Sequence, residues 1–271
     1  MAEDSLYLRC DFHVHTVYSP CAQPEMTPAN IIRAAKERGV EYLGISDHVF
    51  GFTDPAVLKQ ARAAFPPSDG EPEIFFGCEA DVLAIGKTTV TREMLDTLDY
   101  IMMAANHFNN DWVKLVEAPY SKDPVAVGKH FLKMFNYAVT LDYADVIAHP
   151  FYVMPGTYDV EAIYTLTESD LAPGIELAGA NGIAVEISRR AIDPEHVEFM
   201  IPFYRLCKQA GLKFSIGSDA HTLEWVGRTE PLGDLIRELG LSDDDLWLPR
   251  KRNGNGAGDG DRRTVGVCDR D

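Results

Sequence analysis

A chain of 271 residues with 46% apolar content suits one large globular domain or two small ones, and no run approaches the roughly 18 apolar residues of a membrane span. Its net charge of −17 disfavours long nucleic acid, whose affinity comes largely from Lys and Arg neutralising phosphates, but leaves room for an acidic small molecule met at a bound cation. The acidic start Met1-Ala2-Glu3-Asp4-Ser5 lacks the parts of a secretion signal, so the cytoplasm is the expected location; five scattered cysteines without a CxxC are expected as reduced thiols.

In chain order, residues 8 to 14 read as a strand entering His13 and His15. Side chains alternate faces along a strand, so this His-x-His pair shares one face while Phe12 and Val14 take the other. Asp11 falls on the side of Phe12 and is expected to support the site from behind. Ser19-Pro20-Cys21-Ala22 is a loop. Thr27 caps a helix that begins at Pro28, carries Ile31, Ile32 and Ala35 on one face and stops at Gly39. Val40 to Ser46 is an apolar strand running into Asp47 and His48, followed by a helix over 55–64. Ile74 to Cys78 is a strand running into Glu79, 82–90 a hairpin and 92–97 a short helix. Asp99 to Ala105 is a strand that meets Asn106 and His107, and 123–141 is a helix.

The second half repeats the alternation. A short strand, Asp145 to Ala148, ends at His149-Pro150; a helix covers 158–170; Gly182 to Ile187 is a strand with Glu186 near its end. A helix over 194–210 is closed by Gly211, Leu212 to Gly217 runs into Ser218-Asp219-Ala220-His221, and a last helix covers 231–240. From Pro249 the composition turns rich in Gly and charge, so the domain is expected to span 1–248 with a disordered tail over 249–271. Apolar strands alternating with helices imply a parallel sheet, and about seven of them in one unit favour an α/β barrel, whose chemistry sits at the C-terminal ends of the strands.

Collected at those ends are His13, His15, Asp47, His48, Glu79, His107, His149, Asp219 and His221. Six of the eight histidines are among them; the other two, His130 and His196, fall within predicted helices. The donors are nitrogen and oxygen with little sulfur, which suits Zn, Mn or Fe, and they are too many for one tetrahedral ion. Two or three ions joined by a carboxylate would use them.

This pattern resembles the polymerase and histidinol phosphatase (PHP) family. Its motifs stand as Asp11-Phe-His13-Val-His15-Thr16 with Ser19, Ser46-Asp47-His48, Gly77-Cys-Glu79, Asn106-His107, Ala148-His149-Pro150 and Gly217-Ser-Asp219-Ala-His221-Thr222. The resemblance implies a distorted (β/α)7, TIM-like barrel with a trinuclear metal site. It implies that His13, His15, Glu79 and Asp219 hold a first ion, that Glu79 bridges to a second completed by His107 and His149, and that His48 and His221 hold a third. Cys21 stands where many members carry His or Asp, a departure that sets either a thiolate ligand or a weak third site.

The implied reaction is hydrolysis of a phosphate ester of a small metabolite, as in histidinol phosphatases, by a hydroxide bridging the ions. Glu79, Asp219 and His221 are the expected catalytic groups, with Asp219 or His221 as proton donor, or water on the third ion. Arg189, Arg190 and Arg228 are candidates to bind the phosphate. Asp11, Asp47 and Glu186 are candidates to orient imidazoles, and Phe50, Phe52, Phe108, Phe151 and Tyr152 to line a pocket. A nucleotide phosphodiesterase or exonuclease, and a metal-holding module without activity, are the competing readings.

Overall fold

The computed structural model describes residues 5–67, 70–108 and 116–251. The tail expected over 249–271 therefore falls almost wholly outside the described residues, as does Cys268. The strands are β1 (Cys10–Val14), β2 (Tyr42–Ile45), β3 (His48–Val49), β4 (Glu73–Ala84), β5 (Lys87–Thr88), β6 (Tyr100–Ala104), β7 (Val146–Ala148), β8 (Ala184–Ser188) and β9 (Phe214–Gly217). Seven of them form a parallel sheet in the order β1-β2-β4-β6-β7-β8-β9. A bridge between Val14 and Ala220 brings the last strand back to the first and nearly closes a barrel.

The helices are α1 (Pro28–Glu37), α2 (Ala56–Ala64), α3 (Arg92–Leu95), α4 (Pro124–Ala138), α5 (Glu161–Tyr164), α6 (Glu168–Asn181), α7 (Val197–Gln209) and α8 (Gly233–Leu239). Local signals set their starts. Thr27 and Asp123 each accept a hydrogen bond from the third residue onward, and each is followed by Pro at the first helical position. No described helix is long and apolar enough to cross a membrane.

Three elements differ from the sequence reading. The third strand does not end at Cys78 but runs to Ala84, so Glu79 lies inside it. The cause is pairing on both sides: β3 continues β2 in the same register against Glu79 and Ala80, and β6 pairs as far as Asp81. The expected hairpin forms, with β5 antiparallel to the end of β4. The helix expected over 158–170 is two: short α5, then α6, which begins at a capping box between Thr167 and Asp170 and carries Pro173 inside it. His196 stands at the N-cap of α7 rather than within it.

Residues at the N-terminal end of the barrel make its floor. Tyr100 donates to the Phe12 carbonyl and packs edge-on against Trp247, which also meets Phe12. A Cβ at Gly44 or Gly77 would collide with the Tyr100 ring, so these strands can approach it only as glycine. The polar residues are left to the opposite end.

Candidate metal centre

Glu79 is the centre of that end. It is 1% exposed, and five imidazoles converge on its two oxygens. Oε2 lies 3.2 Å from His13 Nε2, 3.6 Å from His15 Nε2 and 3.1 Å from His48 Nδ1; Oε1 lies 2.8 Å from His149 Nε2 and 3.5 Å from His107 Nε2. The sixth imidazole, His221, meets Asp219 Oδ1 at 3.4 Å, as does His15. His13 lies in β1 and His15 directly follows it, while the other four histidines come from four further strand ends or the loops just after them.

The tautomers of two rings are set from behind. His13 Nδ1 donates to Glu186 at 2.7 Å, and His107 Nδ1 donates to Asp81, also at 2.7 Å. A carboxylate only accepts, so the proton of each neutral ring sits on Nδ1 and the Nε2 lone pair faces Glu79. Lone pairs facing a buried carboxylate need a cation between them, either a second proton on each ring or a metal ion. Burial opposes a second proton, yet in the ion-free protein Glu186 and Glu79 hold His13 well above the usual range, and Asp81 pushes His107 up to about 9. His15 behaves oppositely: burial and the neighbouring His221 push it down to about 3. Burial likewise lowers His48. Glu79 resists burial because His48 and His13 beside it hold its carboxyl well below the usual range.

The donors fit metal ions. Ligands about 2.1 Å from a tetrahedral ion stand about 3.4 Å apart, and the contacts around Glu79 and Asp219 scatter about that spacing. His15 Nε2, His48 Nδ1 and His149 Nδ1 are buried without a hydrogen-bond partner. Three sets bring one ligand atom per residue within 4.8 Å of one another: His13, His15 and Asp219; His13, Glu79 and His149; and His15, Cys21, His48 and His221. Burial, aided by Glu79, raises the Cys21 thiol to about 12 in the ion-free protein.

Other candidates fall differently. Asp11 orients no imidazole. It accepts from Ser218 N and Oγ, from Gly227 N and, at 3.3 Å, from His13 N, tying β1 to the exit of β9. Asp47 accepts from Thr16 N and Oγ1, fixing the loop after β1. Glu186 does orient a ring, and its second oxygen accepts from His149 N at 2.6 Å. Asp81 is the residue the sequence reading missed. Its signal was there, since Glu79-Ala80-Asp81 alternates as His13-Val14-His15 does, but the strand was ended before it.

Arg190 lines the cavity above Glu79. Its Nε and Nη2 meet Asp219 Oδ2 at 2.9 and 2.8 Å, and its Nη1 donates to Tyr152 Oη at 3.3 Å. Arg189 instead stacks on Trp225 and donates to the Ser218 carbonyl; Arg228 stacks on the same Trp225 and pairs with Glu224. Neither lines the cavity. Of the aromatic candidates Phe50 and Tyr152 line it, whereas Phe108 and Phe151 are packed in the core and Phe52 is 68% exposed, stacked behind Phe50. His149, Phe151 and Asp219 have positive φ of 25°, 57° and 53°, a conformation costly for non-glycine residues and concentrated here at the site.

The PHP domain family model matches residues 11–190. The chain belongs to the PHP family. Seven of the nine metal-ligand candidates, His13, His15, Cys21, His48, Glu79, His107 and His149, lie in the matched range; Asp219 and His221 lie beyond it and join the PHP site by geometry. No curated protein matches the chain. Among solved structures this PHP barrel is similar to histidinol phosphate phosphatase of Lactococcus lactis subsp. lactis Il1403, complexed with zinc, L-histidinol and phosphate: 15% identity, TM-score 0.63, covering 86% of this chain and 94% of that one. A putative histidinol phosphatase of Listeria monocytogenes aligns at 12% identity and TM-score 0.56, covering 82% and 98%. A chain of archaeal ribonuclease P with mature tRNA aligns at 12% and 0.53, covering 88% and 86%. At these identities the likeness is one of fold.

Proposed function

We propose that the chain is a metal-dependent phosphoesterase that hydrolyses a small phosphorylated metabolite, in the manner of histidinol phosphatases. The observation that carries this reading is Glu79, a buried carboxylate ringed by five imidazoles, two of them with lone pairs turned toward it by Asp81 and Glu186. Family membership and the zinc and phosphate named for the Lactococcus protein support the same chemistry.

His13, His15, Glu79 and Asp219 would hold a first ion, Glu79 with His107 and His149 a second, and His48 and His221 with Cys21 a third. Divalent ions there would supply a nucleophile from water at neutral pH and take up charge on the phosphoryl oxygens. The protein's own part is positioning. Arg190 has five N–H donors and spends three on Asp219 and Tyr152, leaving two for a phosphoryl oxygen at the cavity. Asp219 is ionised, because His15, His13 and Arg190 outweigh burial, and so is Glu79. Neither carboxylate is then the acid, nor is His221 while it holds an ion as a neutral ring; the proton for the leaving group comes from water at the mouth.

The test is turnover of phosphomonoesters, L-histidinol phosphate included, and phosphodiesters by protein reconstituted with Zn, Mn or Fe(II). Monoester hydrolysis that a chelator abolishes is expected. Cleavage of diesters alone overturns the phosphatase reading in favour of a phosphodiesterase, and metal retention without any turnover overturns the enzyme reading.

A further inference from the structure

We propose that Cys21 binds an ion as a thiolate together with His48 and His221, and that this sulfur makes the third position select a thiophilic cation while the positions around Glu79 also accept manganese. The inference rests on the metal-centre reading above and concerns how the centre sorts its metals.

Three observations carry it. Cys21 Sγ lies within 4.8 Å of ligand nitrogens of His15, His48 and His221, and the residue lines the same cavity as Glu79. Two of those rings, His15 at 0% and His48 at 8% exposure, carry buried nitrogens without a hydrogen-bond partner, and these stand 3.1 to 3.6 Å from the carboxylates of Glu79 and Asp219, so the thiol borders the same cluster of ligand atoms. The loop that carries the thiol is also fixed to its neighbours: Ser19 Oγ accepts from His48 N at 2.8 Å, and Gln23 N donates to the His221 carbonyl at 2.9 Å. The sulfur is thus held against the two imidazoles by the backbones of the residues that carry them.

The other described cysteines make the contrast. Cys10, Cys78 and Cys207 are wholly buried in the apolar core, where a thiol acts as a small hydrophobe. Cys21 is half-buried among imidazoles at the cavity wall. One sulfur and two imidazole nitrogens suit Zn, Fe(II) or Co(II); the carboxylates and imidazoles around Glu79 suit these and Mn. Binding forms a sulfur–metal bond and releases the thiol proton to solvent, with no change of oxidation state.

Metal-free protein titrated with Co(II) tests this without reference to turnover. A sulfur-to-cobalt charge-transfer band in the near ultraviolet is expected, with the final intensity of one thiolate-bound ion per chain. Excess zinc should abolish the band, whereas excess Mn(II) should leave it. Cys21→Ser should lose the whole band and one bound ion; Cys21→His should regain the ion without the band. Wild-type protein that fills with cobalt and shows no band overturns thiolate ligation while leaving the metal centre standing. Displacement by Mn(II) as readily as by zinc overturns the selectivity. Failure to bind cobalt at all removes the metal-centre reading and this inference with it. The band and its displacement are read on the wild type, so a variant that misfolds does not obscure the result.

Discussion

Glu79, Asp81 and Arg190 do separable work, and each can be tested singly. Glu79 is the one oxygen donor common to the rings of His13, His48, His107 and His149. Glu79→Gln replaces an anion by a neutral amide that offers one acceptor, so the variant is expected to lose both ions around it and to fall to background activity; metal analysis and turnover check this. Asp81 acts only through His107. Asp81→Asn leaves Nδ1 of that ring without its carboxylate, and metal affinity should fall about 10- to 100-fold, as for other partners that orient a ligand imidazole, while Asp81→Glu should recover part of it. Competition with a chelator of known affinity measures it. Arg190 should show in KM. Arg190→Lys keeps a charge but loses the planar fork that spans Asp219 and Tyr152, and kcat/KM for a phosphomonoester is expected to drop about 10- to 100-fold with metal content unchanged.

At the scale of elements, the site depends on how closely β9 approaches β1 and β8. A Cβ on Gly217 would stand 2.2 Å from Glu186 Oε1 and 2.5 Å from His13 Cβ. Gly217→Ala must therefore push apart the carboxylate and the imidazole it orients. A loss of about 1–3 kcal/mol in urea unfolding is expected, with weaker metal binding beside it; unchanged stability and metal content would show that β9 can shift freely. Such contacts mark what the sequence reading could and could not reach. Strand ends were legible because apolar runs stop at His48, His107, His149 and Asp219, and a residue's position in a local pattern suffices for that. The length of β4 was not legible, because Glu79 to Asp81 are strand only through pairing with residues 48–49 and 102–104. Nor was the role of Asp11, whose partners Ser218 and Gly227 lie 207 and 216 residues away. The onset of α6 was local, written in Thr167 and Asp170, but Pro173 and the glycines beyond it masked a helix that packing sustains.

For the molecule as a whole, the imidazole cluster ties stability to pH in opposite ways with and without metal. In the metal-free protein His13 and His107 have raised pKa values, so folding binds protons that the unfolded chain releases above about 6.5. Their contribution is complete below that pH and is lost as the pH rises through about 9, which for His107 alone corresponds to about 3 kcal/mol. His15 and His48 have lowered values, and folding requires them neutral, so they weaken the fold as the pH falls below about 6.5. The metal-free protein should thus be most stable near pH 6.5 and lose stability on either side. Metal ions take the places of the protons on His13 and His107 and need every ligand ring neutral, so the loaded protein should hold its stability from pH 7 to 9 and lose it, with its metal, as acid protonates the rings. Thermal unfolding in chelator and with stoichiometric zinc, followed across pH 5 to 9, separates the two curves: they should diverge above pH 7 and converge near pH 5. Loading all three positions at pH 7.5 should also release about three protons, from His13, His107 and the Cys21 thiol, readable as a dependence of the calorimetric heat on the buffer's ionisation enthalpy. Parallel stability curves, with no proton release, would mean that the six imidazoles do not share their lone pairs with metal.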